Sequence, residues 1–274
     1  MSTAISSPND TVTVKVSDGV CWVRLNRPKS LNAINSELVA ALAHITAALK
    51  DNTKVRAVVL QGEGDHFMAG GDIKKFEAML AETSNKAELQ SQFSSLIDDV
   101  HEVILNMRAL DQPILASVKG AVAGAGVSMM LACDLVIAAD DAFFTLAYCH
   151  LGVSPDGGST YHLPRMVGLK RAFEIALLGD RFDANTAEHW GLINRVVPAT
   201  DLANETLSLA TRLANGPSHA HAHAKRLLNR SLHNSIETQL DDESVSFADC
   251  TTTNDFREGV SAFIGKRPPE FNGS

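Results

Sequence analysis

Valines at 12, 14 and 16 alternate with polar residues, Ser17-Asp18-Gly19 supplies turn chemistry, and an apolar-rich segment returns from Val20 to Leu25. That pattern predicts a β-hairpin, ended by Pro28. Asn35 or Ser36 can then cap a helix, because Leu38, Leu42, Ile45 and Leu49 recur at helical spacing. Val55 to Leu60 is a β-branched run closed by Gly62 and Gly64, which reads as a buried strand. The plan repeats with a helix over about Lys86 to Met107 and a strand from Pro113 to Val118. A glycine-rich turn, Gly120 to Gly126, then runs into an apolar helix through Ala132, and strands follow at Leu135–Ala138 and Ala142–Leu146. This order predicts an α/β protein with at least one largely parallel sheet.

Beyond Leu163 the pattern changes. Lys170–Leu178 and Thr186–Trp190 are helical, Ile193–Val197 is a short strand before Pro198, and from Asp201 onward only helical patterns remain, broken at Gly216-Pro217 and around Asn254. The expected division is a core over residues 1–200 and a helical region over 201–274 suited to contacts between subunits. No low-complexity segment or solenoid repeat interrupts either part.

Composition narrows the partners. The formal charge of -8 argues against nucleic acid or an anionic membrane surface as the main partner. Cys21, Cys133, Cys149 and Cys250 are scattered without a CxxC pair, as in a reduced intracellular protein. The opening MSTAISSPND has neither a basic start nor an apolar stretch, and the apolar run Gly120–Cys133 falls short of the roughly 20 residues of a membrane span. The expected location is therefore the cytoplasm, with no membrane partner.

Two glycine-rich turns carry candidate chemistry, Phe67-Met68-Ala69-Gly70-Gly71-Asp72 and Gly120–Gly126. Small residues let a ligand approach backbone N–H groups, and two such turns facing one another could form a two-donor oxyanion hole. The plainer alternative is tight turns and close packing. Neither turn has dinucleotide or P-loop spacing. Of His219, His221 and His223 only the first and last share a helical face, with no third ligand nearby in sequence, so no metal is expected. Gly158-Ser159-Thr160 is not a nucleophile elbow, and Asp65, Asp98, Asp99, Asp241 and Asp242 read as solvated charges.

At this point the chain resembles the crotonase (enoyl-CoA hydratase/isomerase) superfamily over nearly its whole length. The matching pieces are Leu25-Asn26-Arg27-Pro28 with Leu31-Asn32-Ala33, the Phe67–Ile73 turn, the Gly120–Asp134 stretch, and Leu151 to Gly158. Leu163-Pro164-Arg165, Ala187 to Leu192 and the tail Gly259 to Phe263 complete the set. The resemblance implies a spiral of repeated ββα units and C-terminal helices that assemble a homotrimer or a dimer of trimers. It also implies an acyl-coenzyme A thioester as substrate, with no metal or redox cofactor. Oxyanion donors carry over to the N–H groups of Ala69 and Ala125. Coenzyme A contacts carry over to Lys29, Leu31, Ala69, Asp72 and Ile73, with Phe263 and Lys266 reaching a neighbouring subunit's ligand.

Departures from the family pattern direct the chemistry. Hydratases of this family use two glutamates, and here those positions carry Ser128 and Tyr148, neither of which is a general base near neutral pH. An acid stands instead at Asp156, in Ser154-Pro155-Asp156-Gly157-Gly158, where the single-aspartate enoyl-CoA isomerases and the ring-epoxide isomerase of phenylacetate breakdown carry theirs. The expected activity is an isomerase in which Asp156 moves a proton through an enolate. Phe93, Leu96, Ile97, Tyr148 and His162 are candidate walls of the acyl pocket. Two alternatives remain open. In a 4-chlorobenzoyl-CoA-type dehalogenase Asp156 would be the nucleophile, with Tyr148 and His101 completing the site. In a crotonase-fold binding protein catalysis would be lost.

Overall fold

A computed structural model describes residues 5–274. The hairpin expected from the valine alternation is formed by β1 (Val12–Ser17) and β2 (Val20–Leu25), antiparallel with Val12 opposite Leu25. A single 3-10 turn, Pro28–Ser30, leads to α1 (Ser36–Lys50). Asn35 caps α1 by accepting from the Leu38 amide at 3.0 Å, and Leu38, Leu42, Ile45 and Leu49 are buried as their spacing predicts. We expect Asn35→Ala to lower the unfolding free energy by about 1 kcal/mol. In urea titration this appears as a lower midpoint at unchanged slope.

The chain continues through β3 (Ala57–Gly62), α2 (Ile73–Glu82), α3 (Lys86–Ala109), β4 (Ile114–Val118), β5 (Ala121–Ala123) and α4 (Ala125–Leu131). Next come β6 (Leu135–Ala139), β7 (Phe143–Thr145), α5 (Ser159–Leu178), β8 (Phe182–Asp183), α6 (Ala184–His189) and β9 (Arg195–Val197). The last helices are α7 (Leu202–Ala214), α8 (Ser218–Arg230), α9 (Ile236–Cys250) and α10 (Asn254–Ile264). A six-stranded sheet has the order β1-β2-β3-β4-β6-β9, parallel from β2 onward. A smaller sheet has the order β5-β7-β8, and Met68 forms a bridge to Val122 beside it. Successive units therefore lay one strand in the large sheet and then a short strand or bridge by the small one: β3 then Met68, β4 then β5, β6 then β7. This is the spiral of ββα units implied by the resemblance.

The main core lies under α1, α3, α4 and α5, with Phe67, Phe144, Met129 and Met130 fully buried. A second apolar layer joins Val20, Ala57, Val59, Leu115 and Ile137 to Leu202, Ala210 and Ala214 of α7. The core expected over residues 1–200 thus draws its second cover from just past that boundary. α8 is tied down by Lys225, whose buried ammonium meets Asp134 at 2.8 Å and the carbonyls of Met107 and Gln112.

Three local departures from the sequence pattern have physical causes. Gly120–Gly126 is not one continuous turn, because Ala121–Ala123 pairs as a strand with Phe143–Thr145 before Gly124, at φ +51°, reverses the chain into α4. α2 was hidden by its largely exposed, mixed surface, with Met79 its one buried residue. α5 begins at Ser159, ahead of the expected Lys170, because a Pro164 inside the helix and a non-helical Gly168 divide a single apolar pattern into two segments.

Candidate active site

The two glycine-rich turns do face each other. The Phe67 N–H donates to the Lys119 carbonyl at 3.0 Å, Met68 N–H to Ala121 O at 3.1 Å, and Ala123 N–H back to Met68 O at 2.9 Å. His66 Nδ1 accepts from the Ala121 amide at 3.0 Å. A methyl group on Gly126 would stand 2.3 Å from the Met68 carbonyl oxygen, so this approach requires a residue with no side chain.

On its other side the first turn pairs with residues 31–34. Ala69 N–H donates to Leu31 O at 3.0 Å, Ile34 N–H to Gly70 O at 2.7 Å, and Asp72 N–H to Ile34 O at 3.0 Å. The Ala69 amide, expected as an oxyanion donor, is therefore already engaged by Leu31 and turned away from the second turn. With Gly70 O and Asp72 N–H both directed at Ile34, the alternation of an extended chain turns the Gly71 N–H the opposite way. Among the described residues Gly71 N–H has no acceptor, and neither does Ala125 N–H at the first position of α4. The two segments touch, since a methyl on Gly70 would lie 3.6 Å from Ala125 N. Gly71 and Ala125 thus each present an unengaged amide, one from either turn. Expecting Ala69 in this role read the motif two residues too early, because side-chain pattern does not reveal which amides a neighbouring strand takes.

Four sequence-selected side chains converge next to Ala125. Ser128 is one helical turn further along α4 and fully buried, and its Oγ donates to the Asp156 carbonyl at 2.9 Å. Ser159 Oγ donates to the same carbonyl at 3.0 Å. Tyr148 Oη donates to Asp156 Oδ1. Gly157 N–H donates to His101 Nε2, on α3, at 3.4 Å. Burial, with the Asp156 charge beside it, holds the Tyr148 phenol far above its ordinary value, so it stays protonated and acts as a donor. The two positions where family hydratases carry glutamates therefore both contact Asp156. His162 is nearly buried on α5, and burial, aided by Arg108 and Arg165, lowers it to about 4, so it is neutral at pH 7.

The outer part of the site is a loop pinned by Asn32. This fully buried side chain accepts from Arg27 N and donates to the carbonyls of Glu63 and His66. It presents Lys29 and Leu31 to solvent. Asp72 caps α2 and pairs with Arg27 at 2.8 Å, which lowers its carboxyl below the usual range, while Ile73 beside it is exposed. Lys29, Leu31, Asp72 and Ile73 thus share one rim. Phe263 and Lys266 stand exposed at the end of α10, Phe263 at 87 %, and no hydrogen bond links either to the Asp156 cluster. One wall residue escaped the sequence reading. Phe76 on α2 lies so close to Gly71 that a methyl there would sit 2.6 Å from its ring, and it packs edge-on against the expected Phe93 at 5.1 Å. Only recognition of α2 would have found it, as the residue four past the capping Asp72.

Known proteins match this chain over nearly its whole length. The family model described as "Enoyl-CoA hydratase/isomerase" matches residues 15–274. A protein of Rhodobacter capsulatus described as "Probable enoyl-CoA hydratase" is 38% identical over 96% of this chain and 98% of its own length. The 1,2-epoxyphenylacetyl-CoA isomerase of Escherichia coli is 36% identical over 94% of this chain and 97% of its own. A 4-chlorobenzoyl coenzyme A dehalogenase of an Arthrobacter species is 31% identical, covering 95% and 93%. The crystal structure of an enoyl-CoA hydratase from Polaromonas sp. JS666 superposes with a TM-score of 0.88 at 34% identity, over 95% of this chain and 99% of that one.

Proposed function

The chain belongs to the enoyl-CoA hydratase/isomerase family and is an enzyme of acyl-CoA chemistry, and we propose that within that family it is a single-aspartate isomerase. The observation that carries this reading is Asp156: both hydratase glutamate positions hold non-acids that bond this one residue, Tyr148 at its carboxylate and Ser128, one helical turn from Ala125, at its backbone carbonyl. With the thioester oxygen held by Gly71 and Ala125 N–H, the protons on the adjacent carbon become acidic. Asp156 takes one of them, the resulting dienolate is stabilised at its oxygen, and the same carboxyl returns a proton at the γ carbon. The bond shift conserves every atom and leaves no net oxidation or reduction, so it needs no redox cofactor. Tyr148 orients the carboxylate by its Oδ1 and leaves the other oxygen to carry the proton. Coenzyme A would lie along the rim of Lys29, Leu31, Asp72 and Ile73, with the acyl chain between Phe76, Phe93, Leu96 and Ile97.

Assembly as a homotrimer or a dimer of trimers is part of the same reading. α9 buries none of its residues within the chain although it carries Ile236, Leu240, Val245 and Phe247. Ile236, Leu240 and Phe247 recur on one side of α9, and such an exposed apolar side fits contact with other subunits, where Phe263 and Lys266 would meet a neighbour's ligand.

A dehalogenase reading is favoured by one contact, His101 against Gly157. In that contact, however, His101 Nε2 accepts an amide N–H, so this nitrogen is not free to activate water. The deciding experiment is incubation with 3-hexenoyl-CoA and, separately, 4-chlorobenzoyl-CoA. We expect the absorbance of a conjugated 2-enoyl thioester from the first and no halide from the second. No conjugated product together with halide release would replace the isomerase by the dehalogenase.

A further inference from the structure

α8 and α9 form a helical hairpin through residues 231–235, which sets the start of α8 against the end of α9. His219 and His223 are one turn apart on α8. Sequence alone offered them no third ligand, but the hairpin supplies two more groups at the end of α9, Asp249 and Cys250. His219 Nε2 lies 2.8 Å from Asp249 Oδ2, His223 Nε2 lies 2.9 Å from the same oxygen, and the two imidazole nitrogens are 3.2 Å apart. Ligand atoms of His219, His223 and Cys250 all fall within 4.8 Å of one another.

We propose that this cluster is a site for a divalent metal ion of the zinc class, with His219, His223, Asp249 and Cys250 as its donors. The argument rests first on proton counting. Three contacts join the two Nε2 atoms and Oδ2, yet each neutral imidazole brings at most one proton to its Nε2. At most two of the three contacts can then be ordinary hydrogen bonds, and the third sets two like groups face to face. A cation at the centre satisfies all three. Distance supplies the second argument. Tetrahedral zinc with bonds of about 2.05 Å places neighbouring donors roughly 3.3 Å apart, and the observed triangle is within about half an ångström of that edge. Donor chemistry is the third, since two imidazoles, one carboxylate and one thiolate match a borderline cation and not magnesium or calcium, which prefer all-oxygen shells. His221, between the two ligands in sequence, faces away towards Gly216 and is no part of the set.

Binding would convert Cys250 from thiol to thiolate, releasing one proton to solvent as the metal–sulfur bond forms. The ion would clamp α9 onto α8, and through the Lys225–Asp134 pair onto the core. No residue is shared with the Asp156 site, so the clamp is structural and separate from turnover.

The test uses untagged full-length protein stripped of metal and titrated with Co²⁺ and Zn²⁺. We expect one ion per chain, thiolate-to-cobalt charge-transfer absorption, and a rise in Tm on zinc addition. His219→Ala/His223→Ala should lower zinc affinity at least about 100-fold, since even losing an outer-sphere partner costs 10- to 100-fold. Cys250→Ser should abolish the charge-transfer band, and His221→Ala should leave both unchanged. Zinc affinity unaltered in the double histidine variant, or a charge-transfer band that persists in Cys250→Ser, would overturn the site.

Discussion

Asp156→Asn lowers kcat for the 3-enoyl to 2-enoyl shift by about 10²–10⁴-fold, the usual contribution of a positioned acid–base group. The fold should survive, because the bonds that fix this segment do not use the carboxylate. Ser128 and Ser159 both donate to the backbone carbonyl of residue 156, and His101 accepts from the amide of Gly157. The asparagine carbonyl can still accept from Tyr148, so the side chain keeps its place and loses only its basicity. KM should change little, since the oxyanion donors and the coenzyme A rim are untouched. The check is steady-state kinetics with 3-hexenoyl-CoA beside a melting curve. A kcat within tenfold of wild type at unchanged Tm would remove Asp156 from the mechanism.

The elements that could be read in advance were those whose side chains announce burial. Alternating valines gave β1 and β2, the leucine spacing and Asn35 gave α1, and the β-branched run around Val58 gave β3 to within two residues. α2 announced little, because one buried methionine in ten residues leaves no apolar stripe to detect. The active site divides in the same way. Asp156, Tyr148, Ser128 and His101 were legible as side chains with or without acid–base capacity, and the fold brings them together. Gly71 was not, because its contribution is an amide whose freedom depends on how residues 31–34 pair with the turn. The Arg27–Asp72 pair and the triangle of His219, His223 and Asp249 join residues distant in sequence, and no local pattern encodes either.

Ala125→Pro should reduce kcat/KM by about 100- to 1000-fold, equivalent to roughly 2.7–4 kcal/mol of lost transition-state stabilisation. Proline removes one N–H and nothing else from the backbone's bonding, because the Ala125 amide has no acceptor among the described residues. Ala125 is the first residue of α4, where the fixed φ of proline suits the helix and no intrahelical bond is forfeited. Gly124 before it sits at φ +51°, ψ -122°, outside the α region that a following proline disfavours. The ring carbons would occupy the direction in which the amide hydrogen pointed, so they displace the thioester oxygen as well as failing to bond it. Ala125→Gly is the matched control: it retains the N–H and, at a helix terminus, should cost less than about 1 kcal/mol of stability. The pair separates the amide from the side chain. If the proline variant kept activity within tenfold, or the glycine variant fell as far as the proline one, the Ala125 N–H would not be an oxyanion donor, and Gly71 would be left without the second donor that the enolate requires.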